Sequence, residues 1–316
     1  MEYSARYLDP MRSLLLLLSL LARPTQPAEP LTIFNAGSLA YPVRELLTAF
    51  NRQHPEVRAT QESSGSLEAA RKLTELGKIP DILAVADYGV IAKLLVPKYT
   101  TWYVGFVSNA MVLAFSDRST AAAEISADNW WRVLLRKEVR WGLSDPNLDP
   151  NGYRAHMVFQ LAEAEYHESG LAARLERAVE PRYVRPAEAQ LLGLVQAGEL
   201  DYAWSYRSLA ATAGLRWVTL PPGIDLSDPS RAADYAKARI KLPGPRMASA
   251  DSVEFRGEPI LYAVTIPAAA AHPGVAREFV RFILSREGQA ILQRAGFKLL
   301  PRPVVSGTPP FSIGPS

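Results

Sequence analysis

Residues 31–50, LTIFNAGSLAYPVRELLTAF, decide the fold class. Residues 31–34 form a short apolar run that reads as a strand. Gly37 and Ser38 follow. Leu39, Val43, Leu46, Leu47 and Phe50 then recur at helical spacing, and Pro42 sits in the first turn, where its missing N–H costs little. The pattern continues outward. Residues 57–61 read as a second strand, and Ser64, Gly65 and Ser66 open a helix carrying Leu67, Ala70, Leu73 and Leu76, with Gly77 as its stop. Residues 82–86 read as a buried third strand. A βαβαβ run of this kind predicts a parallel sheet covered by helices. In such sheets ligands bind outside the carboxyl ends of the strands, where both Ser-Gly turns lie.

Farther along, residues 110–115, 140–143, 202–205 and 260–266 read as strands. Helices are predicted at 130–135, from Tyr153 through Ala164, from the stretch 184–188 (with Pro186 as the first helical residue) to a stop at Gly198, and at 275–284 and 287–295. Residues 221–257, rich in Pro, Gly, Ser and charge, read as a surface wrap. The tail after Pro301 reads as flexible. No internal repeat is present.

The 316-residue chain has room for two lobes. Its hydrophobic content of 48% and charged content of 21% are those of a globular protein. The net charge of +3 is spread along the chain without a dense basic run, so nucleic acid is not an expected partner. Cysteine is absent, which excludes disulfides, zinc-thiolate sites and a cysteine nucleophile. Without a lipobox cysteine the chain is not expected to be a lipoprotein. Arg12 precedes the leucine-rich residues 13–22, too few for a stable bilayer span but suited to a secretory h-region. Residues 1–30 therefore read as a signal segment with processing near Ala28, and Met11 is a candidate start.

Four positions carry the chemistry. Ser38 and Ser66 each follow a glycine at a strand-to-helix turn, where N–H groups and hydroxyls converge on an anion. A lone serine there is usually a cap; two equivalent glycine-serine pairs favour an anion site. Each hydrogen bond to a charged group contributes about 1.5–3 kcal/mol. Asp149, in Leu148-Asp149-Pro150-Asn151-Gly152, reads locally as an Asp-Pro turn. Glu188 reads as a first-turn glutamate favoured by the helix dipole, and Tyr206 as packing. Yet a phosphate or sulfate cradle has little use for two acids. Their presence narrows the ligand to an oxyanion whose central atom itself accepts ligands.

Several stretches extend these motifs. They are residues 35–39 (NAGSL), 63–66 (SSGS), 71–78 (RKLTELGK), 86–88 (ADY), 145–150 (DPNLDP) and 198–203 (GELDYA). Together they resemble the tungstate/molybdate-binding proteins of ABC importers, in their archaeal-type branch, over about residues 31–300. Asn151 departs from the small residue common there, and residues 166–183 are shorter. The resemblance implies a type II periplasmic-binding-protein fold, two α/β lobes joined by two crossing strands with the ligand cleft between them. The lobes would be 31–109 plus 262–300, and 110–261. It implies first-lobe contacts from Gly37, Ser38 and Ser66, and second-lobe contacts from Asp149, Pro150, Asn151, Glu188 and Tyr206. Asp149 and Glu188 would complete six-fold coordination of tungsten or molybdenum, hard centres suited to oxygen ligands. Sulfate and phosphate cannot expand their shells, so the same acids would repel them. The expected protein is a periplasmic or extracellular monomer that binds tungstate or molybdate, needs no other cofactor, delivers the anion to an ABC permease and catalyses no reaction. The rivals are a binder of a simpler oxyanion such as sulfate, and a secreted hydrolase. His54, His156, His167 and His272 fall in no hydrolase motif.

Overall fold

The structure is a computed structural model that describes residues 28–248 and 250–313. The predicted signal segment therefore lies almost wholly outside the described residues. Two main sheets organise the chain. The first contains β1 (Glu29–Ala36), β2 (Val57–Ser64), β3 (Ile82–Val85), β4 (Tyr103–Ser108), β12 (Leu261–Thr265) and β13 (Lys298–Ser306), in the order β13-β4-β12-β3-β1-β2. Strands β1, β2 and β3 are parallel, with α1 (Ala40–Phe50) and α2 (Ser66–Thr74) as their crossovers. A further helix, α3 (Tyr88–Leu94), follows β3. The second sheet has the order β7-β6-β8-β5-β9, from β5 (Met111–Phe115), β6 (Trp141–Ser144), β7 (Val184–Arg185), β8 (Tyr202–Tyr206) and β9 (Arg216–Thr219). Its helices are α4 (Trp130–Leu134), α5 (Pro150–Glu165), α6 (Leu171–Ala178), α7 (Glu188–Ala197) and α8 (Arg207–Thr212). The result is a two-lobed α/β fold.

The chain passes from the first sheet to the second at residues 109–110, between β4 and β5, and returns just ahead of β12. Strand β5 is buried on both faces. Met111, Leu113 and Phe115 join the main core, while Val112 and Ala114 pack with Leu191, Leu192 and Val195 of α7. That two-sided burial is why its sequence is a continuous apolar run rather than an alternation. Near the carboxyl end the chain returns to the first lobe. There α10 (Pro273–Leu284) lays Phe279 edge-on against Phe50 of α1, their rings 5.2 Å apart, and α11 (Arg286–Arg294) leads into β13.

Three readings of the sequence are corrected. The tail after Pro301 is not free through its first residues: β13 runs to Ser306 and pairs antiparallel with β4, and the Phe311 ring meets Trp102 edge-on. Residues 221–257 are more than a wrap. They hold the short helix α9 (Ala232–Tyr235) and a hairpin of β10 (Arg239–Pro243) with β11 (Ser252–Arg256). Strand β1 begins at Glu29 rather than at Leu31, pairing Glu29 and Pro30 with Val57 and Arg58.

Gly152 fixes where the second lobe's candidate residues stand. A Cβ there would lie 2.1 Å from the Ser144 carbonyl oxygen. Only a glycine lets the first turn of α5 press on the end of β6. Gly152→Ala should therefore destabilise the protein by roughly 1–3 kcal/mol, read as a lower midpoint in urea unfolding. An unchanged midpoint would show that the helix shifts freely.

Candidate functional site

The first-lobe turns are built differently from simple caps. Gly37–Leu39 form a single 3-10 turn after β1, without a side-chain cap. The Ser38 hydroxyl, buried, lies 2.8 Å from the Tyr262 hydroxyl of β12. Asn109, at the passage between the lobes, donates through Nδ2 to the same tyrosine at 3.4 Å and to Ser208 Oγ at 2.7 Å. Ser66, fully buried, accepts from the Ala86 amide at 3.0 Å, and the N-cap of α2 is Gly65. Ser64 receives the Lys72 ammonium at 3.1 Å and is committed to that contact. Glycine matters unequally. At Gly37 a Cβ would meet nothing within 4 Å, whereas at Gly65 it would lie 2.2 Å from the Leu148 carbonyl oxygen and 3.1 Å from Asp149 Cβ.

That close approach marks where the lobes meet. The Leu148 carbonyl accepts from the amides of Leu67 at 3.1 Å and Glu68 at 3.2 Å. Two N–H groups of the α2 terminus therefore bond the opposite lobe rather than standing free for an anion. Arg71 of α2 also reaches the Asn147 carbonyl and, at 3.0 Å, the Pro243 carbonyl of β10.

In the second lobe, residues 145–149 curl into a tight turn, with the Leu148 and Asp149 amides donating to the Asp145 carbonyl at 3.0 and 2.9 Å. Asp149 then caps α5, its Oδ1 accepting from the Asn151 amide at 3.0 Å, with Pro150 in the first turn. This is the local turn expected from sequence. Its other oxygen does something the local sequence does not announce: Oδ2 accepts from the Glu188 amide, 39 residues away, at 3.0 Å. Glu188 opens α7 and turns Oε1 toward β8, accepting from Ser205 Oγ and the Tyr206 amide, both at 2.6 Å. Among the described residues no hydrogen bond reaches its Oε2. Helix α7 packs on the Gly37–Leu39 turn. The fold thus brings Ser38, Ser66, Asp149, Glu188 and Tyr206 to one interlobe region. Asn151 is fully buried, with Oδ1 3.5 Å from Ser144 Oγ, a contact inside the second lobe.

Burial dominates the electrostatics. Asp149 is 5% exposed and Glu188 1% exposed. Loss of water pushes the Asp149 carboxyl up to about 6, against the opposing pull of the Asn151 and Glu188 amides and of Arg154. Burial, and then the neighbouring Asp149, hold Glu188 well above the usual glutamate range. Arg154 supplies the compensating charge. Burial works against its guanidinium, but Tyr206, Asp87 and Tyr153 outweigh it and keep it charged.

A stability prediction follows. An unfolded aspartate titrates near 3.8, the folded one near 6. Between those values the folded state binds more protons than the unfolded state, so Asp149's contribution falls as pH rises. With the lobes together, the stability of the parent minus that of Asp149→Asn should drop by up to ~3 kcal/mol from about pH 4 to pH 7, and by less to the extent that the ligand-free lobes open. Glu188, released from its neighbour in the variant, moves the difference the same way. Urea unfolding across that range measures it; a flat or rising difference refutes the burial account.

Sequence reading missed Arg154, Asp87, Asn109 and Tyr262 at this site. The sequence marks Asn109 only as a lobe boundary and Asp87 only within residues 86–88, and gives none of the four a role at the site.

Two α/β lobes that touch through buried carboxylates and hydroxyls beside the strand ends define a two-lobed solute-binding protein. Residues 31–298 match the bacterial extracellular solute-binding protein family, and the chain belongs to that family. It is 39% identical to an uncharacterized solute-binding protein of Petrotoga mobilis, over 84% of this chain and 82% of that one. It is 36% identical to the molybdate/tungstate-binding protein WtpA of Pyrococcus abyssi, over 91% of this chain and 90% of that one. Among solved structures, the sulfate-binding protein SubI from Mycobacterium tuberculosis aligns with a TM-score of 0.61 at 15% identity, covering 86% of this chain and 87% of that one. The Azotobacter vinelandii periplasmic molybdate-binding protein aligns with a TM-score of 0.55 at 15% identity, covering 86% of this chain and all of that one. The structural matches speak to fold alone. Relatives of this family are solute-binding proteins rather than enzymes and act outside the cytoplasm. Among the described residues no helix is long and apolar enough to cross a membrane.

Proposed function

We propose that this protein captures molybdate or tungstate between its lobes and delivers it to an ABC transporter permease, without catalysing a reaction. The observation that carries the reading is the pairing of Asp149 with Glu188, 5% and 1% exposed, beside the Ser38 and Ser66 turns. Two buried acids are a poor receptor for sulfate, whose filled shell offers them only repulsion. Toward molybdenum or tungsten the same acids are ligands, and Glu188 Oε2 is unengaged by protein donors. Kinship with WtpA of Pyrococcus abyssi supports the same class of ligand. In this reading Ser38, Ser66, Tyr206 and the backbone at Gly37 surround the oxo groups, Pro150 and Asn151 shape the wall beside them while the Asn151 amide holds Asp149 in place, and Asp149 and Glu188 meet the metal. Lobe closure around the anion is the signal the permease reads, through tighter binding to the closed state. Titration calorimetry with tungstate, molybdate and sulfate tests it. Tight binding of the first two with weak sulfate binding is expected; the reverse order would favour the sulfate alternative and overturn the metal-ligand role.

A further inference from the structure

Arg154 stands on the second lobe and acts on the first. It lies on α5, one turn beyond Asn151, with a side chain 4% exposed. Its Nη1 donates to the Ala86 carbonyl at 2.9 Å and to the Tyr206 hydroxyl at 2.7 Å, and its Nη2 pairs with Asp87 Oδ2 at 3.0 Å. Ala86 and Asp87 follow β3 in the first lobe; Tyr206 ends β8 in the second. Ala86 is held on both sides, since its amide donates to Ser66 while its carbonyl accepts from Arg154. One continuous path therefore runs from Ser66 through Ala86 and Arg154 to Tyr206, joining candidate contacts of both lobes. Asp87 is held in turn, accepting through Oδ1 from the Gly89 amide at 2.7 Å and through Oδ2 from the Tyr153 hydroxyl.

An ion pair inside one lobe would be blind to closure. This one exists only while the lobes are together. On opening, both charges return to water, so the pair adds little net stability. Its geometry is demanding, however, because a planar guanidinium must meet a carbonyl, a hydroxyl and a carboxylate at once. Removing one partner in the closed state leaves the other buried and uncompensated. That cost falls on the closed state alone and shortens its life.

We propose that Arg154 is the interlobe clasp, a positioning residue whose grip on Asp87 and the Ala86 carbonyl sets how long the closed, loaded state lasts. The inference rests on the proposed ligand class for its kinetic test and on the structure alone for its conformational test. Arg154→Lys, Asp87→Asn and the double variant are compared with the parent by stopped-flow association and release of tungstate. Asp87→Asn preserves size and can still accept from Tyr153, so it guards against a folding failure at Arg154. Each single change should speed release by at least ~10-fold, while association changes by less than ~3-fold. The double variant should be no worse than the worse single one. Release at the parent rate in both singles, multiplying effects in the double, or a loss confined to association would each overturn the clasp. Because the chain has no cysteine, Glu45→Cys and Lys137→Cys, both on exposed residues, accept a fluorophore pair that reports lobe separation. If the parent binds neither tungstate nor molybdate, the ligand reading fails by itself. The clasp is then decided in ligand-free protein, where Asp87→Asn should deplete the closed, short-separation fraction that the parent samples, and a closed fraction equal to the parent's refutes it.

Discussion

Glu188→Gln is expected to lower tungstate affinity by at least ~100-fold, about 2.7 kcal/mol. The amide keeps the size of the side chain and an oxygen for the Ser205 hydroxyl and the Tyr206 amide. What it loses is the charge and the basic Oε2, the two properties a hexavalent metal requires. Outer-shell partners of metal ligands already carry 10–100-fold in affinity, so a direct ligand belongs above that range. Sulfate should respond in the opposite sense. With one buried acid gone, its repulsion is relieved, and binding should strengthen relative to the parent. Calorimetry with both anions reads the two shifts in one protein. Parent-like tungstate binding, or equal losses for both anions, would mean that Glu188 organises β8 rather than meeting the ligand.

Much of the fold is legible because it depends on local pattern. The βαβαβ run from residue 31 to residue 86 shows period, stops and turns in order, and β1, α1, β2, α2 and β3 stand there. Strand β4 is hidden because Gly105 interrupts its apolar run, and the Leu261 side chain packs into the space a Cβ would take. The hairpin of β10 and β11 is short and polar outside, so composition reads it as loop. Strand β13 carries prolines at 301 and 303, which count against a strand although edge positions tolerate them.

The site divides along the same line. Asp149 and Ser66 announce themselves at turns, because capping chemistry is local. That Asp149 meets the Glu188 amide, that Ser38 meets Tyr262, and that Arg154 meets Asp87 are facts of long-range pairing, separated by 39, 224 and 67 positions. Helical spacing offered one missed signal. Arg154 falls on the same side of α5 as Asn151, three residues on, and a buried arginine is rare enough to demand partners. Sequence could have raised the question without naming Asp87 as the answer.

Gly65→Ala is expected to weaken every oxyanion by roughly 100-fold while leaving the ligand-free protein at least as stable as the parent. The backbone at Gly65 has φ −61° and ψ 145°, ordinary for alanine. In an open molecule the extra methyl meets no strain, and alanine restricts the unfolded chain, which stabilises by about 0.4–1 kcal/mol. In the closed molecule the same methyl would stand 2.2 Å from the Leu148 carbonyl oxygen, a backbone atom held by the Asp145 turn and bonded to the Leu67 and Glu68 amides. The lobes must then stop short. Only the closed state binds tightly, so affinity falls in proportion to the fraction that still reaches it. This loss differs in kind from that at Glu188. It strikes tungstate, molybdate and sulfate alike, since it acts on closure and not on the metal. Thermal melts with and without anion separate the two halves of the expectation. A ligand-free melting temperature lowered along with affinity would show that the contact between Gly65 and Leu148 belongs to the folded core in every state. Parent-like affinity would show that the lobes bind the anion without meeting there.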